Sequence, residues 1–210
     1  MISPLTLGIL FTVMSMLLVV VVALRTELAN APGGRALIFV AFFAFPVIAS
    51  WGGASEHLER SKQTAFCLSC HVMRDFGRSL YVDDKSYIPA AHFQNHRIPP
   101  QEACYTCHTD YTMYGGLRSK MRGLRHIYVE YFGRVPEPKN IKLYQAYDNN
   151  VCLHCHLGAR SFEEHERHRK TSDAMGNIKS NKISCMTSNC HDIVHDVDTL
   201  KDASFWKGGS

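Results

Sequence analysis

Hydrophobic positions along this chain follow two regimes. Leu5 to Leu24 is an uncharged run of 20 residues, and Ala36 to Trp51 is a second of 16 that contains Pro46. At about 1.5 Å per residue the first run is long enough to cross a hydrocarbon layer of roughly 30 Å, so it predicts a spanning helix. No Lys or Arg precedes it and no small-residue cleavage site follows, which favours a retained helix over a cleaved signal segment. The second run predicts a spanning helix over about 36–53, with a partly re-entrant segment as the alternative because of its length and Pro46. Beyond residue 53 the pattern thins to 61 apolar residues in 157. There Leu117, Met121, Leu124, Tyr128 and Tyr131 recur at helical spacing and predict an amphipathic helix over 117–132.

These patterns predict a membrane anchor over 1–53 and a soluble segment over 54–210. The fold class is mostly α with much irregular loop. The loop Arg25–Arg35 carries both positive charges of the anchor, and the positive-inside tendency puts it in the cytoplasm. The soluble segment then lies on the outer face, with Trp51 at the interface. That segment is too poor in aliphatic residues to build a large core, so its cohesion must come from something else.

All eight cysteines and all twelve histidines lie in it. They form Cys67-Leu-Ser-Cys70-His71, Cys104-Tyr-Thr-Cys107-His108, Cys152-Leu-His-Cys155-His156 and Cys185-Met-Thr-Ser-Asn-Cys190-His191. Three are Cys-x-x-Cys-His and the fourth is stretched by two residues. Disulfides or zinc knuckles would explain paired cysteines but not a histidine after every pair. With twelve His in 210 residues, four such coincidences have odds on the order of one in a hundred thousand. The pattern is that of covalent haem c, two thioethers fastening the vinyl groups and the next histidine reaching the iron. Four covalently bound haem c groups supply the missing core. The motifs fall into two di-haem modules, about 60–110 and 150–196.

The stretch Phe66-Cys67-Leu-Ser-Cys70-His71-Val72-Met73-Arg74-Asp75, with Ala91-His92-Phe-Gln-Asn95 ahead of the second motif, resembles the NapC/NirT/NrfH family of membrane-anchored tetrahaem quinol dehydrogenases. The resemblance covers roughly residues 60–195. Two features depart from it: the family usually has one spanning helix, and the fourth motif here has four spacer residues. The resemblance implies that Met73 ligates the first haem, with His71 displaced from the iron. It implies that His195 is the distal ligand of the third haem, with His165 or His168 as runner-up, and that His92 is the distal ligand of the fourth, with His96 as runner-up. His108, His156 and His191 bind the iron from their own motifs. For the second haem both Lys120, which has family precedent and lies at the edge of the apolar face of 117–132, and His126, opposite its centre, are candidates.

By the same resemblance the chain is a membrane-bound electron carrier of the bacterial cytoplasmic membrane, its haems on the periplasmic face. It takes electrons from membrane quinol, menaquinol by preference, and gives them to an extracytoplasmic redox protein or membrane redox complex. Asp75, Lys120 and Glu130 are the candidate proton-handling groups of the quinol site. Arg118, Arg122 and Arg125 form a basic flank able to meet anionic lipid headgroups. The competing reading is a relay subunit that takes electrons from another protein and binds no quinol. A terminal reductase is disfavoured by the surplus of potential ligands. The formal charge of +4 does not indicate nucleic acid, because the eight propionates of four haems would reverse it.

Overall fold

The computed structural model describes residues 3–141, 147–187, 189–192 and 194–207. The chain divides into two compact units, Met1–Ser61 and Lys62–Ser210.

The first unit is a hairpin of two helices long and apolar enough to cross a membrane, Pro4–Leu24 and Gly34–Arg60. Ser3 caps the first by accepting from the Thr6 N–H at 3.1 Å. Gly33, in the left-handed region at φ 84°, turns the chain into the second. That helix runs past the apolar stretch to Arg60. Ala54–Arg60 is made largely of helix-favouring residues, and Glu56 and Arg60 pair one turn apart at 2.8 Å.

Pro46 does not interrupt it. The helix widens into a π turn over Val40–Ala44, where the Phe45 N–H bonds the Val40 carbonyl. In that register the next donor would be that of residue 46, and proline has none, so the Ala41 carbonyl loses its helical partner. Ser15 of the first helix donates its hydroxyl there at 2.6 Å, and both residues are buried. An orphaned carbonyl is costly where water is absent, so this bond removes the penalty of placing proline in an apolar span. The helices approach closely at Gly8 and Gly52, where a Cβ on Gly52 would stand 2.7 Å from the Pro4 carbonyl. Phe11 packs edge-on against Phe45 beside this contact.

The second unit is built of short helices and loops around two small apolar clusters. One is Val82, Tyr87, Ala90 and Leu200, backed by Val197, Ala203 and Phe205. The other is Leu80, Ile98 and Ala103, backed by Tyr81, Phe93 and Cys107. Neither amounts to a domain core of ordinary size, in keeping with the thin apolar pattern.

Polar pins do much of the joining. The Thr64 hydroxyl donates to the Pro100 carbonyl at 2.9 Å and accepts from the Ala103 N–H at 2.8 Å, tying the helix of the first motif to that of the second. Asn149, fully buried, donates to the carbonyls of Ile178 and Ile183 at 2.9 and 2.7 Å and accepts from the Cys185 N–H at 2.8 Å. It thereby ties the third motif to the fourth. The segment after the fourth motif returns to the first half of the unit. Val82 bridges antiparallel to Phe205, Asp83 N–H donates to the Ser204 carbonyl at 2.8 Å, and Trp206 N–H to that of Tyr81 at 2.7 Å. The two motif pairs are thus cross-braced within one unit.

Candidate functional site

The second and third motifs use one device, which the first follows only in part because Cys70 lies past the end of its helix with extended backbone. Cys67 lies on the Thr64–Leu68 helix, Cys104 and Cys107 on Ala103–Cys107, and Cys152 and Cys155 on Asn150–His156. Residues three apart share a helix face, so one turn aims both sulfurs of a motif the same way. Cysteines five apart could not share a helix face. The fourth motif lies instead in a loop that Asn189, at φ 68° in the left-handed region, folds back on itself. There the Cys190 N–H donates to the Thr187 carbonyl at 2.9 Å and the His191 N–H to that of Cys185 at 3.0 Å. Ser188 of this motif, and 142–146 of the connector between the motif pairs, lie outside the described residues.

All eight cysteines are free of disulfides, and they approach one another in chain order. The Cys104 thiol donates to Cys67, holding Cys67 down to about 7 while that bond and burial push Cys104 up. Cys152 and Cys185 form the same couple, with Cys185 at about 7. Between the couples, Cys107 lies within electrostatic reach of Cys152 and Cys155. The sites therefore adjoin first to second, second to third and third to fourth.

The histidines pair in a way the resemblance did not give. His195 faces His108 of the second motif with ring centres 6.2 Å apart, His92 faces His156 of the third at 6.0 Å, and His168 faces His191 of the fourth at 6.3 Å. Parallel rings in direct contact stack closer, as Tyr111 and His154 do at 3.8 Å, whereas edge-on rings touch at roughly 4.5–7 Å between centres. An imidazole nitrogen lies about 2 Å from a transition metal and its ring centre just over 1 Å further, so two rings trans across one iron have centres about 6.3 Å apart. All three pairs match that span.

Proton positions agree with it. The His92 Nδ1 stands 2.9 Å from the Ile88 carbonyl and the His168 Nδ1 2.9 Å from that of Phe162. A carbonyl can only accept, so each Nδ1 carries the proton and Nε2 is left as a lone pair. Ser79, fully buried, donates its one proton to the Phe76 carbonyl at 2.6 Å, and so accepts from the His195 Nδ1 at 2.7 Å. His195 too presents Nε2 as a lone pair. His165 shows the opposite arrangement: its Nδ1 accepts from the Arg167 N–H at 3.3 Å, so in the neutral ring Nε2 is protonated and cannot ligate. Burial pushes His195 down to about 4, and burial also lowers His108, His156 and His191, keeping all four in the neutral form a metal needs.

This donor set fits haem c. Among the described residues no three His, Cys, Asp or Glu side chains converge into a cage for a bare ion. Porphyrin iron asks the protein for two axial donors only, and here they come in twos.

The other sequence candidates are placed as follows. His71 is exposed and Met73 half-buried in one 3-10 turn. Lys120 lies over the Tyr105 ring, 4.4 Å from its centre, and its charge reaches Cys67. The charge of His126 reaches His108, while the rings 6.2 Å from His108 are those of His195 and Tyr147. Asp75 is half-buried 3.7 Å from Arg78, and Glu130 is half-buried on the Gly115–Phe132 helix. His96, at φ 52°, is exposed in the turn after His92. Ser79, Asn149 and Asp110, which binds Arg118 and Arg122 at 3.7 and 3.2 Å, were not singled out from sequence. Their roles are contacts across the fold and leave no local pattern.

The family sequence model described as NapC/NirT cytochrome c family, N-terminal region, matches residues 33–200. The chain is 26% identical over 121 residues to the cytochrome c-type protein NapC of Escherichia coli (strain K12), covering 52% of this chain and 57% of that protein. To NapC of Paracoccus pantotrophus it is 28% identical over 118 residues, 50% of this chain and 47% of the other. To NapC of Haemophilus influenzae it is 23% identical over 121 residues, 52% and 56%. The chain thus spans about half the length of the curated relatives it matches, and no solved structure matches it. The second of the two long apolar helices lies within the family match and the first precedes it. The chain belongs to the NapC/NirT cytochrome c family and is a membrane-anchored c-type cytochrome that carries its haem covalently.

Proposed function

We propose that this protein holds four haem c groups, oxidises membrane quinol at the outer face of the bacterial cytoplasmic membrane, and delivers the electrons to an extracytoplasmic redox partner. The observation that carries the reading is the set of three imidazole pairs at 6.0 to 6.3 Å. Thioethers from Cys67 and Cys70, Cys104 and Cys107, Cys152 and Cys155, and Cys185 and Cys190 fasten the groups. His108 with His195, His156 with His92, and His191 with His168 would hold the irons. At the first site Met73, half-buried where His71 is exposed, would be the protein donor. The group supplies one-electron exchange between ferric and ferrous iron, with the potential tuned by these ligands.

What the chain adds is position and protonation. Cross-module pairing of His195 with His108 and His92 with His156 fixes the two halves of the unit to each other. Quinol oxidation releases protons, and the chain's groups for handling them are Asp75, just past the first motif, as acceptor and Lys120, whose charge reaches Cys67, as a donor to a quinol oxygen.

The test is direct. Purified holoprotein is mixed with reduced menaquinol or ubiquinol analogues and the haem absorbance followed. Quinol-dependent reduction supports the reading. Haems that stay oxidised with every quinol, but are reduced by a protein donor, would make the chain a relay subunit instead.

A further inference from the structure

The Gly115–Phe132 helix presents its apolar face outward. Leu117, Met121, Leu124, Tyr128 and Tyr131 are each 51 to 77% exposed. On a wheel of 100° per residue they fall within about 40° of one line, a stripe roughly 21 Å long. The helix is held to its own unit along another side, by Gly116 against Tyr105 and by Ser119, whose hydroxyl accepts from the Asp110 N–H at 3.0 Å. Among the described residues the stripe is therefore left mostly exposed. Arg118 and Arg125 border it, and Arg118 and Arg122 share the single carboxylate of Asp110. Within the helix four cations, Arg118, Lys120, Arg122 and Arg125, stand against one acid, Glu130.

We propose that this helix lies on the bilayer surface, its Leu117–Tyr131 stripe at the acyl-chain boundary and its arginine border among anionic lipid headgroups. The occupant follows from chemistry on the page. The chain is membrane-anchored, the stripe carries tyrosines, whose amphipathic rings suit the interface, and its border is cationic with no acid in it. Long arginine side chains can lay their stems along the apolar face while their heads reach phosphate. A second copy of the chain would have to bury the same cationic border against itself, at a cost in like-charge repulsion. The inference stands whether or not quinol is the electron donor. It also gives Lys120, on the same helix and within electrostatic reach of Cys67, a place near lipid.

The test uses the full-length holoprotein in vesicles of phosphatidylcholine and phosphatidylglycerol. Leu124, Tyr128, Tyr131 and, as an exposed control off the helix, Leu157 are each replaced by p-benzoylphenylalanine, irradiated, and the adducts identified by mass. The expected result is lipid adducts at 124, 128 and 131 in several-fold excess over 157, with Arg125→Gln lowering the yield in anionic but not in zwitterionic vesicles. Yields equal to that at 157, or adducts that are a second protein chain, overturn the proposal. An Arg125→Gln yield unchanged in anionic vesicles overturns its headgroup part. If the Leu124 replacement fails to assemble haem, the two tyrosine sites, replaced by a near-isostere, still decide it. Because the crosslink needs no electron flow, its failure is distinct from failure of the quinol assay.

Discussion

Ser79 and His195 are separated by 116 residues in the sequence and by 2.7 Å between Oγ and Nδ1. Because the Ser79 proton is committed to the Phe76 carbonyl, the bond fixes the imidazole tautomer, and with it the nitrogen that faces His108. An Nδ1–H bonded to an acceptor makes the ring a better donor to ferric iron. Ser79→Ala removes the acceptor, so the potential of the His108–His195 haem rises. One neutral hydrogen bond of about 1 kcal/mol corresponds to a few tens of millivolts for a one-electron couple. Ser79→Thr keeps the hydroxyl and the potential. A redox titration followed by haem absorbance reads both variants.

The proposed ligand His168 has a neighbour, His165, of the opposite tautomer. His168→Ala should convert one haem to a five-coordinate, carbon monoxide-binding form, whereas His165→Ala leaves every haem low-spin. Carbon monoxide difference spectra of the reduced variants check this. Equal behaviour of the two would mean that the tautomer argument picks the wrong ring.

Ring orientation gives a prediction without mutation. His108 and His195 are near-parallel, 19° between planes, while His92 with His156 and His168 with His191 are steeply crossed at 74° and 62°. Parallel axial imidazoles give ordinary rhombic low-spin ferric spectra and crossed ones give strongly anisotropic spectra with a large leading g value. Electron paramagnetic resonance of the oxidised protein should therefore show one bis-histidine haem of the first kind and two of the second.

In the anchor, Ser15→Ala leaves the Ala41 carbonyl orphaned and should weaken the hairpin by about 1 kcal/mol, within the range of interhelical hydrogen bonds in membranes. Pro46→Ala restores a backbone donor, so in its presence the Ser15→Ala penalty should shrink toward zero. A double-mutant cycle on detergent unfolding of the full-length protein measures the coupling.

Parts of this were legible in the sequence. The covalent haem chemistry of the family was, because thioether attachment needs both cysteines and the histidine close together in the chain. So was the existence of two apolar helices. The passage of the second helix through Pro46 was not, since it rests on Ser15, a residue of the other helix. Nor were the histidine partners. The ring facing His108 comes from beyond the fourth motif and the ring facing His156 from before the second, and no local spacing encodes such contacts. The 117–132 periodicity correctly marked an amphipathic helix but left open which face met the haem, and its apolar stripe faces outward.

The central claim is that three haems carry two imidazoles each and the fourth is ligated by Met73. Near-infrared magnetic circular dichroism of the fully oxidised, full-length protein tests it most directly, because bis-histidine, methionine and lysine ligation give charge-transfer bands at different energies. The account predicts bis-histidine intensity equivalent to three haems, reduced by one third in His195→Ala, with the remaining signal altered by Met73→Leu. A lysine-type band lost in Lys120→Ala, or bis-histidine intensity untouched by His195→Ala, would contradict it.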